Sequence, residues 1–356
     1  MHYMYVASVQ ELENKFLPKS SEQVLVLVGE DTSREEMQSM FHYFQKHQIP
    51  CAGGVFPQVI HQNRHYTRGF VVIRLNETLY CNIFPLEASL SVHLPIYDVP
   101  DLFALVLVDG LSSDIKSFLG RLFIHYADAI PYLGGGAGSL DLVQKPCLFL
   151  NGTLYKNHGL VLLVKGQLKQ TVRHGWEILE GPFLVTNSEK NILQEINWQN
   201  SYAFYREIVE EYADQTMTSQ HFFHQAKAFP FGIARTETTL PENLVVRDPL
   251  RITEDRHIVC VSDIPKKALL YILHGSMEML LKSTAAYDKS RRPGNALVFD
   301  CISRVLLLGE HIDEELRNIQ GHPENCLNGA MTIGEIASTQ QGYLEFLNKT
   351  IVHGEY

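Results

Sequence analysis

No Cys-x-x-Cys pair occurs in this chain of 356 residues, and its six cysteines, at positions 51, 81, 147, 260, 301 and 326, lie scattered. That scatter excludes a disulfide framework and points to reduced thiols. The opening Met1-His2-Tyr3-Met4-Tyr5-Val6 lacks a basic stretch, an apolar core and a small-residue cleavage site, so no signal peptide is expected. No apolar run approaches the roughly 18 residues that a membrane-spanning helix needs. Basic residues are outnumbered 30 to 40, and the net charge of −10 removes the basic field that sequence-independent nucleic-acid binding requires. The basic run Lys289-Ser290-Arg291-Arg292 reads as a solvated loop. The expectation is a cytoplasmic protein with no membrane and no nucleic-acid partner. The sequons at Asn76, Asn151 and Asn348 are then irrelevant.

Signatures of catalysis are equally sparse. There is no Gly-x-Ser-x-Gly elbow and no Ser/His/Asp or Cys/His arrangement. Of the sixteen histidines, His61 and His65 are spaced i, i+4 and His221 and His224 i, i+3. Neither pair has an acid placed as in His-Glu-x-x-His or a cysteine at zinc spacing, so no metal site is expected. The chain reads as non-enzymatic. The alternative is an enzyme using Cys301 as its nucleophile.

What the sequence does contain is a repeated pattern. Hydrophobic residues make up 45% and charged residues 20%, the balance of a globular protein with room for two or more domains. Ile130-Pro131-Tyr132-Leu133-Gly134-Gly135-Gly136-Ala137-Gly138 resembles Ile49-Pro50-Cys51-Ala52-Gly53-Gly54-Val55, and Cys326-Leu327-Asn328-Gly329-Ala330 is a looser third version. Each is read as a glycine turn. Each follows an apolar run (residues 24–28, 103–108 and 296–301) and then a helical pattern. Asp31-Thr32-Ser33 with Glu35 and Glu36 starts the first helix, capping side chains followed by acids in the first turn. The fold class is therefore α/β, mixed α+β, with internally repeated β-α-β units, Gly-rich turns and parallel pairing. Further expectations are a polar lead-in before residue 22 with a helical patch over 9–16, and a hairpin closed near Asn76. A strand pair 147–150 with 159–164 and a closing strand over 343–352 are also expected. Residues 195–214 read as a helix with Trp198, Tyr202, Tyr205 and Tyr212 on its apolar face. A boundary near 198 divides the chain into 22–198, 199–340 and a closing segment 341–356.

Candidate binding residues come from two places. The bare backbone of Gly134, Gly135 and Gly136 can cradle an anion, line a pocket for another ligand or simply pack closely. It lacks the Gly-Lys-Ser/Thr ending of a nucleotide-binding P-loop. Cys301 and Arg304 follow a buried strand, where open α/β sheets place their ligands. An arginine there suits a carboxylate or phosphate, or forms a structural pair with Glu310 beside an inert cysteine. Arg247 is either a ligand partner or an Asp-paired turn residue.

In order and spacing these motifs resemble the FIST family (F-box and intracellular signal transduction proteins), as an N-terminal and a C-terminal half. The N half carries Gly53-Gly54, Gly134-Gly135-Gly136 and Gly159-Leu160-Val161. The C half carries Phe229-Pro230-Phe231-Gly232-Ile233, Val246-Arg247-Asp248-Pro249-Leu250 and Phe299-Asp300-Cys301-Ile302-Ser303-Arg304, then Leu308-Gly309-Glu310, Gly334-Glu335-Ile336 and Asn348-Lys349-Thr350. The resemblance implies a cytosolic sensory module that binds a small ligand, an amino acid or other small carboxylate, and reports to a separate signalling protein such as a histidine kinase. The implied ligand set is Arg304, Cys301, Arg247 and Glu335 with Gly134, Gly135 and Gly136. Some bacterial relatives look like haem proteins that sense nitric oxide. In that alternative His158, His125 and His274 are the axial candidates, since one histidine suffices. In one departure, Gly53-Gly54 runs into Val55-Phe56-Pro57-Gln58 where relatives have a Thr-x-Gly-Glu-like sequence, which here survives only as Thr332-Ile333-Gly334-Glu335.

Overall fold

The computed structural model describes residues 2–18, 22–75, 77–88, 99–234, 241–285, 295–322, 324–338 and 344–356. The basic run 289–292 and Asn76 lie outside them. The chain begins with β1 (His2–Val6), α1 (Val9–Lys15), β2 (Gln23–Gly29), α2 (Arg34–Lys46), β3 (Cys51–Phe56), β4 (Gln58–His61), β5 (Arg64–Tyr66), β6 (Phe70–Leu75) and β7 (Thr78–Pro85). A second set follows: β8 (Leu102–Asp109), α3 (Ile115–Tyr126), β9 (Tyr132–Ala137), β10 (Leu148–Leu150), β11 (Thr153–Tyr155), β12 (His158–Lys165) and β13 (Lys169–Arg173). An inserted stretch carries β14 (Glu177–Glu189), β15 (Ile192–Ile196), β16 (Gln199–Asn200), α4 (Ser201–Ala213), α5 (Phe222–Ala226), β17 (Phe231–Ile233), β18 (Val245–Arg247), β19 (Pro249–Ile252), β20 (Ile258–Cys260), β21 (Leu269–His274) and α6 (Met277–Ala285). The last set is β22 (Asn295–Cys301), α7 (Ile302–Leu308), α8 (Ile312–Gln320), β23 (Cys326–Thr332), β24 (Glu335–Ser338), β25 (Leu344–Leu347) and β26 (Ile351–Glu355).

Three β-α-β units are present, and each is parallel: β2 with β3, β8 with β9, β22 with β23. The likeness goes further than the units. The three six-stranded sheets have the same build, β1-β6-β2-β3-β10-β11, β7-β12-β8-β9-β24-β25 and β13-β26-β22-β23-β4-β5. In each, an antiparallel strand flanks the first parallel strand and a short hairpin flanks the second. The hairpin never belongs to its own unit. The one after β3 joins the third sheet, the one after β9 the first, and the one after β23 the second. The exchange closes a ring, and each unit is completed by another.

Burial follows from this arrangement. Leu25, Leu27, Leu105, Leu107, Leu297 and Phe299 meet in one cluster shared by all three sheets. The alternate residues face outward under helices. Val24, Val26 and Val28 lie under Met37, Met40, Phe41 and Phe44 of α2. Val106 and Val108 lie under Phe118, Leu119 and Leu122 of α3, and Val298 lies under Ile312, Leu316 and Ile319 of α8. Strands covered on both faces carry apolar runs without alternation. Of the expected capping residues 31–33, Ser33 is the one that caps α2, in a full capping box with Glu36.

The glycine stretches are strands, not turns. They form β3, β9 and β23, and the register pairs Val26 with Gly53, Val106 with Gly134 and Val298 with Gly329. A Cβ on Gly53 would lie 1.9 Å from the Val26 carbonyl oxygen, and on Gly134 or Gly329 1.7 Å from that of Val106 or Val298. Gly136 is shut in by the Ile333 carbonyl, 2.2 Å from where a Cβ would sit. The close approach that glycine permits is made here by neighbouring backbone.

Other expectations change with topology. Residues 2–6 pair with β6 rather than forming a polar lead-in. β6 and β7 enter different sheets, so they form no hairpin. Asn151-Gly152 does make a turn, with φ of +49° and +88°, but it joins β10 to β11, while β12 pairs with β7 and β8. The closing strand divides into β25 and β26 around residues 348–350. Trp198 is not on a helix: it sits at φ +62° in the turn before α4 and is 76% exposed. Tyr212, though on α4, is also exposed. Three of the four sheets draw strands from both sides of residue 198.

Gly134→Ala places a methyl group against a fixed carbonyl and is expected to cost at least about 3 kcal/mol. Gly120, on α3 with nothing within 4 Å of its would-be Cβ, is the control. Gly120→Ala is expected to stabilise by about 0.5–1 kcal/mol. Urea unfolding of both variants separates the outcomes, and equal midpoints would refute the close-approach account.

Candidate functional site

At the carboxyl end of the third parallel pair, four chain breaks meet. β22 runs straight into α7, putting Asp300, Cys301, Ser303 and Arg304 within one turn. β23 ends at Thr332 and a two-residue link leads to Glu335, the first residue of β24. Gly334 makes that link at φ +86°, with the Phe346 ring 2.3 Å from where a Cβ would stand. Asn348, Lys349 and Thr350 interrupt β25 and β26, with Lys349 in the left-handed region at φ +54°. Asp248 interrupts β18 and β19. Where ladders break, side chains must take over the hydrogen bonding, and here they do so in full burial.

Two polar groupings result. In the first, the Thr332 hydroxyl donates to Glu335 Oε1 at 2.9 Å and the Thr350 N–H to Oε2 at 3.2 Å. Burial pushes Glu335 well above the usual carboxylate range, against the pull of these donors. Burial, and then Glu335, hold the Cys301 thiol high as well, which suppresses the reactive thiolate. In the second grouping, Lys349 Nζ lies 3.1 Å from Asp248 Oδ1 and donates to the Lys227 carbonyl at 2.9 Å. Ser303 Oγ donates to Asp248 Oδ2 at 2.7 Å. The Trp176 ring lies 5.0 Å from the ammonium, and its N–H donates to the Lys349 carbonyl. Beside them Asn348 is 1% exposed, and among the described residues neither its amide nitrogen nor its oxygen has a hydrogen-bond partner.

The two arginines are turned onto the protein. Arg304, fully buried, pairs with Glu315, donates to the His174 carbonyl and approaches Asp300 Oδ1 at 3.5 Å. Its acidic partner is Glu315 and not Glu310. Arg247 donates to the carbonyls of Asp263, Val246 and Phe346. The glycines adjoin the same place: Gly135 is the register partner of Glu335, and the Gly136 N–H donates to the Gly334 carbonyl at 2.7 Å. The structure thus gathers Cys301, Arg304, Glu335, Arg247 and the glycine strand around one end of the third unit.

A family model for the FIST N domain matches residues 83–199, and one for the FIST C domain matches residues 202–338. The chain belongs to the FIST family. No curated protein matches it. FIST domains are in general small-ligand sensory domains of signal-transduction proteins. Asp248, Cys301, Ser303, Arg304 and Glu335 lie within the FIST C match, and Trp176 and the glycine strand β9 within the FIST N match. The first β-α-β unit precedes both matches, and Asn348, Lys349 and Thr350 follow them.

The histidines are dispersed over this FIST chain. His158 opens β12 with Nδ1 2.6 Å from the Lys156 carbonyl, His125 rides on α3, and His274 ends β21 with Nδ1 3.3 Å from the Tyr212 hydroxyl. All three are half-buried. Among the described residues, no group of three or more His, Cys, Asp or Glu could hold a metal ion, and no helix is long and apolar enough to cross a membrane. Sequence reasoning missed Lys349, Asp248 and Asn348 as site residues. All three stand inside motifs it had noticed, but nothing local says that these motifs meet.

Removing Lys349 leaves Asp248 charged and enclosed. Lys349→Met is expected to cost about 3–5 kcal/mol, and adding Asp248→Asn to recover most of it. A double-mutant cycle by denaturant unfolding measures the coupling, and additive costs would show that the ion pair is not the link.

Proposed function

We propose that this FIST protein is a cytosolic, non-enzymatic sensor whose small ligand, an amino acid or related carboxylate, is taken at the carboxyl end of the third unit, and that its state is read by a separate signalling protein such as a histidine kinase. The observation that carries this reading is Asn348. A buried carboxamide with a free donor and a free acceptor carries an unmet desolvation cost that a ligand can relieve. Lys349, Asp248 and Ser303 beside it offer a cation, an anion and a hydroxyl, the complement of a zwitterion. The carboxyl ends of parallel strands are where such folds hold ligands. A thiol held in its protonated form supports binding over nucleophilic turnover.

Screening amino acids and small carboxylates by thermal unfolding tests the reading. A ligand at a hundred times its Kd adds about 2.7 kcal/mol of stability, and mass spectrometry should recover it unchanged. Asn348→Ala is expected to remove that gain while leaving the unliganded protein folded. A gain that survives Asn348→Ala would move the site elsewhere, and consumption of the ligand would make the protein an enzyme.

A further inference from the structure

Behind that site, three buried carboxylate oxygens have no hydrogen-bond donor among the described residues: both of Asp300 and Oε2 of Glu315. Both side chains are fully enclosed, where an unsatisfied ionised oxygen is costly. One guanidinium, that of Arg304, brings the two carboxyl groups together. Two ionised carboxylates repel at such range, whereas a single proton between them makes one a donor to the other. Among the described residues, Arg304 is the cation that pairs with both, through Nη2 to Glu315 and through Nε, 3.5 Å from Asp300 Oδ1. One guanidinium does not balance two full negative charges. The other carboxyl acting on Asp300 is that of Glu335, which accepts from the Thr332 hydroxyl and the Thr350 N–H. Lys349 is directed at Asp248, and Arg247 at backbone carbonyls.

We propose that Asp300 and Glu315 form a proton-binding site, sharing one proton beneath the Arg304 guanidinium, and that the seating of α8 on the third sheet depends on that proton. Asp300 belongs to β22 and Glu315 to α8, so the shared proton bonds helix to sheet. Burial first, and Glu315 second, push Asp300 well above the usual carboxylate range, in keeping with the geometry. Loss of the proton leaves two negative charges on one arginine and loosens α8. The proton is then an input to this protein in its own right, independent of any ligand at Asn348.

The folded state binds a proton that the unfolded chain has given up. Stability is therefore complete below the unfolded value of about 3.8 and falls as pH rises from there through the folded value. Within that window each pH unit raises the unfolding constant about tenfold through this proton. The test is infrared spectroscopy of the full chain at neutral pH. Because Glu335 can contribute a band of its own, the carbonyl stretch of a protonated carboxyl is read in a Glu335→Gln background, where it is expected to be present and to be lost when Asp300→Asn or Glu315→Gln is added. Urea unfolding across neutral pH should give a wild-type slope about tenfold per unit steeper than that of Asp300→Asn. Hydrogen exchange of the α8 amides should quicken as the band disappears with rising pH. Absence of the band in the Glu335→Gln background, or its survival there when Asp300→Asn or Glu315→Gln is added, overturns the assignment. Where the variants fail to fold, the wild-type spectrum still decides, because the band and the α8 exchange must titrate together.

Discussion

The closest constraint in this molecule is the approach of one backbone to the next within each parallel pair. Val26 against Gly53, Val106 against Gly134 and Val298 against Gly329 leave less than 2 Å for a side chain. No other residue type fits without moving a strand, and each of these strands is central to its sheet. The constraint recurs because the unit recurs. Each second parallel strand also hands its chain to a neighbouring sheet: β3 to the third, β9 to the first, β23 to the second. No sheet is complete until strands far apart in sequence have met, as when β4 reaches β23 or β10 reaches β3. Such non-local pairing raises the entropic cost of folding before contacts repay it.

Three like units do not make three like sites. Three residues beyond the glycine-paired valine, the first unit has Gly29, the second Asp109 and the third Cys301. Asp109 is buried, but its oxygens accept from the Leu111 and Asn157 N–H groups and from Gln144. Its charge is thus met by the protein. In the third unit, Asp300 and Asn348 are enclosed without that provision. The scaffold is shared, and the unmet polar atoms set its third unit apart from the other two.

What the sequence discloses depends on range. Apolar runs without alternation, the Ser33 cap and the strand-helix-strand rhythm are local, and all three appear as expected. The Asn151-Gly152 turn is also local, but the identity of its second strand is not, and the nearer β11 rather than β12 takes that place. Glycine signalled a close approach correctly without saying what approaches. Trp198 follows an apolar periodicity, yet the two-residue turn between β15 and β16 lifts it into solvent. At the site, Cys301, Arg304 and Glu335 were visible because each adjoins a readable strand end. Lys349 and Asp248 were not, since a buried lysine looks like any surface lysine until its partner is known.

The inserted sheet explains why the third unit differs. It supplies Asp248 between β18 and β19, the Lys227 carbonyl after α5, and Trp176 just before β14. Each of these groups closes on Lys349. Without that sheet the ammonium would face water, and a lysine on a left-handed bend would gain nothing from burial. With it, the charge is enclosed between a carboxylate, a carbonyl and an aromatic face. A buried ion pair is seldom the cheapest way to stabilise a fold. Apolar residues of similar size would hold the same three elements together at lower desolvation cost. On the proposed function, the pair and Asn348 beside it, unpartnered among the described residues, are the polar lining of the ligand site and not merely cement between the inserted sheet and the third unit.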